Sequence, residues 1–96
     1  MKIVIVGAGK VGYSLAQRLI QDDHDVYVID RSPERIHNLE NTLDVSLVLG
    51  NGSDVQLLNE IDMSDVGMFI AVTDSDEVNM LSCAVAKITG VPTTIA

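Results

Sequence analysis

A layered α/β fold, with a parallel sheet covered by helices on both faces, is what this sequence predicts. Three observations carry that prediction. Short aliphatic runs alternate with segments of helical period. The composition is 47% hydrophobic but only 3% aromatic, and chains so rich in Val, Ile, Leu and Ala suit strands buried on both sides. Glycine-rich or acidic segments follow the runs, as loops at the ends of parallel strands do.

The elements follow in order. Lys2–Val6 is an uninterrupted apolar strand that breaks at Gly7. A helix runs from about Lys10 to Gln21, with Val11, Leu15 and Leu19 at i, i+4 spacing on the sheet-facing side. Gln21-Asp22-Asp23-His24 is a polar turn, and Val26–Ile29 is a second strand ending at Asp30. Ser32-Pro33-Glu34 starts a helix: Ser caps, Pro takes the first helical position and Glu suits the dipole. Ile36, Leu39 and Leu43 supply its buried stripe. Val45–Leu49 is a third strand, and Ser53 is read as the cap of a short helix from Asp54 to about Glu60. Met68–Val72 is a fourth strand. Thr73–Glu77 then opens a longer helix with Val78, Leu81, Val85 and Ile88 on one side, ended by Gly90 and Pro92. Thr93–Ala96 begins a fifth strand.

Right-handed crossovers between parallel strands give the spatial order 3-2-1-4-5, a doubly wound sheet with its switch point between strands 1 and 4. Ligands of such sheets sit at that reversal, at the carboxyl ends of the strands. Gly7-Ala8-Gly9-Lys10-Val11-Gly12 follows strand 1 there, and it reads G-x-G-x-x-G. Gly7 permits the tight turn, Gly9 lets a pyrophosphate approach the backbone, and Gly12 lets the helix lie close on the strand. The helix aims unpaired N–H groups at the phosphates. Asp30 ends the next strand, placed to accept bonds from ribose hydroxyls. A Rossmann-like nucleotide site is the reading, because the glycines stand between the right strands with the acid at the right distance.

Other rim residues have two readings each. Gly50-Asn51-Gly52-Ser53 either makes room for a base or is a turn with a helix cap. Thr73 and its neighbours either line a ribose or the second half of a dinucleotide, or merely begin a helix whose Asp76 and Glu77 complement its dipole. Lys10 either steers phosphates or is an ordinary exposed lysine. Arg31 is placed where a basic residue accommodates a 2′-phosphate, but Asp30 would repel that group, so NADP is disfavoured. His24 and His37 are expected in solvent. No calcium-loop pattern of acids is present.

Bulk properties set further bounds. Ninety-six residues make one domain with one modest core. The net charge is −8, and six of those units fall in residues 50–96, which argues against nucleic acid or an anionic membrane surface. No apolar stretch nears the ~20 residues of a membrane-spanning helix. Cys83 is the sole cysteine, so no internal disulfide forms and a reducing cytoplasm is expected. It reads as a small buried helix residue rather than a nucleophile.

Several segments together resemble one family. Met1–Gly12, Val28-Ile29-Asp30, Gly50–Asp54 and above all Ala71-Val72-Thr73-Asp74-Ser75-Asp76-Glu77-Val78-Asn79-Met80 are similar to the TrkA N-terminal domain, of the regulator-of-potassium-conductance (RCK) type. The likeness covers essentially the whole chain. It implies a non-catalytic cytoplasmic sensor of NAD or NADH, alternatively ADP or ATP, in a homo-oligomer under a membrane-embedded potassium transporter or channel subunit. By motif position it puts phosphate contacts on Gly7, Gly9, Lys10, Val11 and Gly12, the ribose contact on Asp30 with Arg31 adjacent, and the base and inner pocket on Asn51, Gly52, Ser53 and Thr73. The family pattern continues past strand five with an arginine-bearing segment and an assembly helix. The expectation is therefore one domain over residues 1–96, cut from a longer protein. The competing function is the cofactor half of an NAD-dependent dehydrogenase. Against it, no Lys, His or Tyr follows a strand where a nicotinamide would lie.

Overall fold

The computed structural model describes residues 1–96. Its elements are β1 (Lys2–Val6), α1 (Lys10–Gln21), β2 (Asp25–Asp30), α2 (Pro33–Glu40), β3 (Ser46–Leu49), α3 (Val55–Ile61), a single 3-10 turn (Met63–Asp65), β4 (Val66–Ala71), α4 (Asp76–Ile88) and β5 (Thr93–Ile95). The five strands form one parallel sheet in the order β3-β2-β1-β4-β5. This is the doubly wound Rossmann-like arrangement expected from the run of elements.

Strand alternation explains why both faces are covered. Along β1, Val4 and Val6 point into an apolar layer with Leu58, Phe69 and Ala86, while Ile3 and Ile5 point into another with Ala16, Val28 and Leu39. All four β1 side chains are at most 2% exposed. At about 1.5–3 kcal/mol for each large aliphatic or aromatic group buried, these two layers are the main source of stability.

The helices depart from their sequence reading in instructive ways. In α1 the buried positions are Gly12 and Ala16, and Val11 is 59% exposed. A Cβ on Gly12 would overlap the Gly7 carbonyl oxygen, so the helix lies against backbone at Gly12 and Ala16, while Leu15 and Leu19 pack on the core from beside that line as expected. Leu43 packs on the same layer but lies past the end of α2. In α4, Asn79, Ser82 and Ala86 are buried, whereas Leu81 is 56% and Ile88 86% exposed. Of the expected stripe, Val85 packs on the core and Val78 is half-buried, while Leu81 and Ile88 point away from the sheet. The cap of α3 is Asp54, which accepts from the Gln56 amide, because Ser53 is turned toward Asn51. His24 is half-buried, with Nδ1 shielded and unpartnered, not free in solvent; His37 is exposed as expected.

Lys2 ties down the opposite end of the sheet from the glycine turn. Its ammonium donates to the carbonyls of Ile61 and Asp62 and to Asp65 Oδ1 at 2.7, 3.1 and 3.0 Å, and it lies 4.7 Å from the centre of the Tyr27 ring. Ser82, fully buried, has no partner for its hydroxyl.

Two stability outcomes follow from these contacts. Gly12→Ala is expected to destabilise the fold by at least the ~1–3 kcal/mol of an overpacked site, read as a lower urea midpoint. Ser82→Ala removes an unsatisfied hydroxyl that costs about 1–3 kcal/mol when buried; the same titration should show equal or greater stability.

Candidate functional site

The site begins where β1 ends. Val6 accepts from the Val72 amide, and the Gly7 amide donates to Ile29, both at 2.8 Å, so the exit of β1 is fixed by the strands on either side. Gly7 has φ +118°, and a Cβ there would lie 2.9 Å from the Val72 carbonyl oxygen. Only glycine meets both demands. Gly9 then caps α1 with no side-chain acceptor, which leaves the first amides of the helix directed at the rim.

Asp30 closes this turn from β2. Its Oδ2 accepts from the Ala8 amide at 2.7 Å and its Oδ1 from the Ser32 amide at 2.8 Å. The residue is 8% exposed, so these are sheltered, charge-assisted bonds of the stronger kind. A carboxylate has about four lone-pair positions; two are taken by backbone and the others remain for a ligand.

Next to Asp30 is a cavity of about 430 Å³, within the usual size of small-molecule sites. Val6 and Ile29 contribute apolar surface at the strand ends. Asp30 ends β2, Arg31 and Ser32 connect it to α2, Arg35 lies in the first turn of α2, and Gly50 and Gly52 come from the segment after β3. Thr73, Asp74 and Ser75 come from the link between β4 and α4, and Val78 from the first turn of α4. The end of β1 and the segments after β2, β3 and β4 therefore take part, around the β1/β4 switch point. The lining contains two carboxylates and two guanidiniums and no His, Lys or Cys. It offers donors and acceptors at fixed places, which is the equipment for binding.

The Thr73 loop is held by Asn79, a buried residue of α4. Asn79 Oδ1 accepts from the Thr73 amide at 2.9 Å and from Thr73 Oγ1 at 2.6 Å, and its Nδ2 donates to the Thr73 carbonyl at 3.1 Å. Ser75 caps α4 by accepting from the Val78 amide.

The residues read from sequence divide into three groups. Asp30, Arg31, Gly52 and Thr73 line the cavity. Gly7, Gly9 and Gly12 shape the turn beside it. Lys10 and Val11 lie apart, with Ser14 and Leu15 on another surface depression, and Asn51 and Ser53 are bound to each other. Asn51 Oδ1 accepts from the Ser53 amide at 2.9 Å and from its hydroxyl at 2.8 Å, so both side chains serve the turn. Sequence reasoning missed Arg35 and Asn79. Arg35 had a signal, since it follows the Ser32-Pro33 helix start and must emerge at the same rim as Asp30. Asn79 had a weaker one, a poor helix former in the period of Ser82 and Ala86.

No group of three or more His, Cys, Asp or Glu is arranged to hold a metal ion. Cys83 is half-buried with Sγ 3.4 Å from the Ile95 carbonyl oxygen. Burial pushes its thiol above the ordinary range, which leaves it protonated and poorly nucleophilic.

Comparison with known proteins decides the family. The TrkA-N domain matches residues 3–96. The chain belongs to the TrkA-N domain family. A relative from Azorhizobium caulinodans, the "Trk system potassium uptake protein TrkA", is 44% identical over the full length of this chain, which covers 21% of that protein. Across the first curated relatives it matches, this TrkA-N domain spans between 19% and 44% of their length. Among solved structures, the "GsuK channel bound to NAD" superposes with a TM-score of 0.82 at 22% identity, over 98% of this chain and 17% of that one. The "Shewanella denitrificans Kef CTD in AMP bound form" superposes with a TM-score of 0.80 at 17% identity, over 99% and 56%. At those identities the superpositions establish the shared fold of the TrkA-N domain. No helix in it is long and apolar enough to cross a membrane.

Asn79→Ala takes away three bonds to Thr73 and leaves buried backbone groups unpaired. The expected loss is about 1–3 kcal/mol, together with faster hydrogen exchange at the Thr73 amide while β1 stays protected.

Proposed function

We propose that this TrkA-N domain is a regulatory module of potassium transport that binds an adenine nucleotide, NAD or NADH, or alternatively ADP or ATP. The observation that carries the reading is the Asp30 carboxylate, fastened to the Ala8 and Ser32 amides at the edge of a 430 Å³ cavity. In the bound state the free lone pairs of Asp30 take the ribose hydroxyls. The Gly7–Gly12 turn and the first amides of α1 take the phosphates. Gly52 and the Thr73 loop face the base and the inner part of the ligand. The potassium assignment is supported by the name of the relative that is 44% identical along this whole chain. A nucleotide site of this kind is supported by the titles of the GsuK and Kef structures, whose ligands are NAD and AMP.

The domain works without making or breaking bonds. A nucleotide acts on a transporter only by binding two conformations with different affinity. Dinucleotides and ADP or ATP share the adenosine end and differ beyond it, toward Thr73. The module sits in the cytoplasm, in a homo-oligomer against the inner face of the membrane, where its partner is a potassium transporter or channel subunit.

Calorimetric titration with NAD, NADH, ADP and ATP tests the reading. Wild type is expected to bind at least one of them. Asp30→Ala, checked for folding by circular dichroism, should weaken each bound ligand by the ~1.5–3 kcal/mol of charge-assisted bonds. Unchanged affinity would remove the ribose assignment. Sustained oxidation of NADH with candidate substrates would replace regulation by a dehydrogenase.

A further inference from the structure

Arg35 is the one cation placed over the glycine turn. Its amide donates to Ser32 Oγ in the first turn of α2, and its side chain reaches across to β1's loop. Nη1 lies 3.7 Å from Asp30 Oδ2 and 3.6 Å from where a Cβ on Gly9 would be. Lys10, though within the turn by sequence, lines a different depression. Arg31 borders the same cavity but has no such approach to Gly9.

The Arg35–Asp30 pair is loose. Its separation exceeds a hydrogen bond, and the arginine side chain is 47% exposed. Asp30 is already satisfied by two backbone amides, so it does not need the guanidinium to keep its place. Exposed pairs of this kind are worth little. A phosphate, by contrast, matches the guanidinium fork with two parallel bonds.

Resting on the nucleotide reading above, we propose that Arg35 is the phosphate-recognising cation of this cavity. It exchanges its pairing with Asp30 for a two-bond contact to the phosphate on the 5′ side of adenosine. The exchange frees the outer lone pairs of Asp30 for the ribose hydroxyls. Phosphate recognition and ribose recognition are thereby one step, and adenosine without a phosphate gains little from Arg35.

Titrations of adenosine, AMP and ADP against wild type, Arg35→Gln, Arg35→Lys and Lys10→Gln test this, with thermal melts to verify folding. Arg35→Gln is expected to weaken AMP and ADP about ten-fold or more and to leave adenosine unchanged. Arg35→Lys, a point charge without the fork, should recover only part of the loss. Lys10→Gln, whose side chain borders another depression, should weaken AMP and ADP less than Arg35→Gln does. Retained AMP and ADP affinity in Arg35→Gln would overturn the proposal. So would an equal loss for adenosine, which would make Arg35 a prop for Asp30. Wild type that binds none of the three ligands sinks the nucleotide reading itself, whereas wild-type binding with an indifferent Arg35→Gln sinks this assignment alone.

Discussion

The hydrogen bond from the Ala8 amide to Asp30 Oδ2, 2.7 Å long and largely hidden from water, is the constraint on which the site depends. It joins the loop after β1 to the last residue of β2, two points 22 positions apart in the chain. Without it the glycine turn would have to place its amides by strand geometry alone. With it, one carboxylate aligns the turn, starts the connection to α2 through Ser32, and attracts Arg35 over Gly9. The sheet makes that bond possible. Parallel pairing of Val6 with Ile29 and of Val6 with Ala71 brings three strand ends to one level, and the loops that follow have no other place to go.

Charge is distributed with the same economy. The chain is strongly acidic, at −8, a poor surface for any anion at long range. Yet two of its six basic residues border the cavity. Local cations in an acidic field favour ligands that reach the contact itself over those merely drawn to the surface. Screening by salt shortens the long-range repulsion far more than the close contacts.

Most of the architecture was legible in the sequence because the strands are continuous aliphatic runs and the crossover hand is fixed. β1 and α1 have the bounds that pattern assigned them. Legibility failed where contact with the sheet is made by small or polar groups. In α4 the apolar period pointed to Val78, Leu81, Val85 and Ile88; Val85 does pack on the core, but the buried positions are Asn79, Ser82 and Ala86, and Leu81 and Ile88 face out. In α1 the same cause put Val11 outside. β4 begins earlier than expected, at Val66: Lys2 pairs with Val66 and Ile3 with Met68, so Gly67 is an irregularity that the strand runs through rather than its start. At the site, Asp30 and the glycines could be recognised because their spacing is local. Arg35 and Asn79 left only indirect signals, because their contacts exist only once α2 and α4 are docked. Lys10, Asn51 and Ser53 had two readings each in the sequence; Lys10 borders a different depression, and Asn51 and Ser53 are bonded to each other within the turn.

The close approach of Gly7 to the Val72 carbonyl has a mechanical corollary. Two loops that abut with no side chain between them have no slack to absorb a displacement. A displacement of the first would meet the second with no intervening side chain to absorb it. The shove then arrives at the head of α4, whose outward surface is studded with Met80, Leu81 and Ile88, a long lever already joined to the place where the push starts.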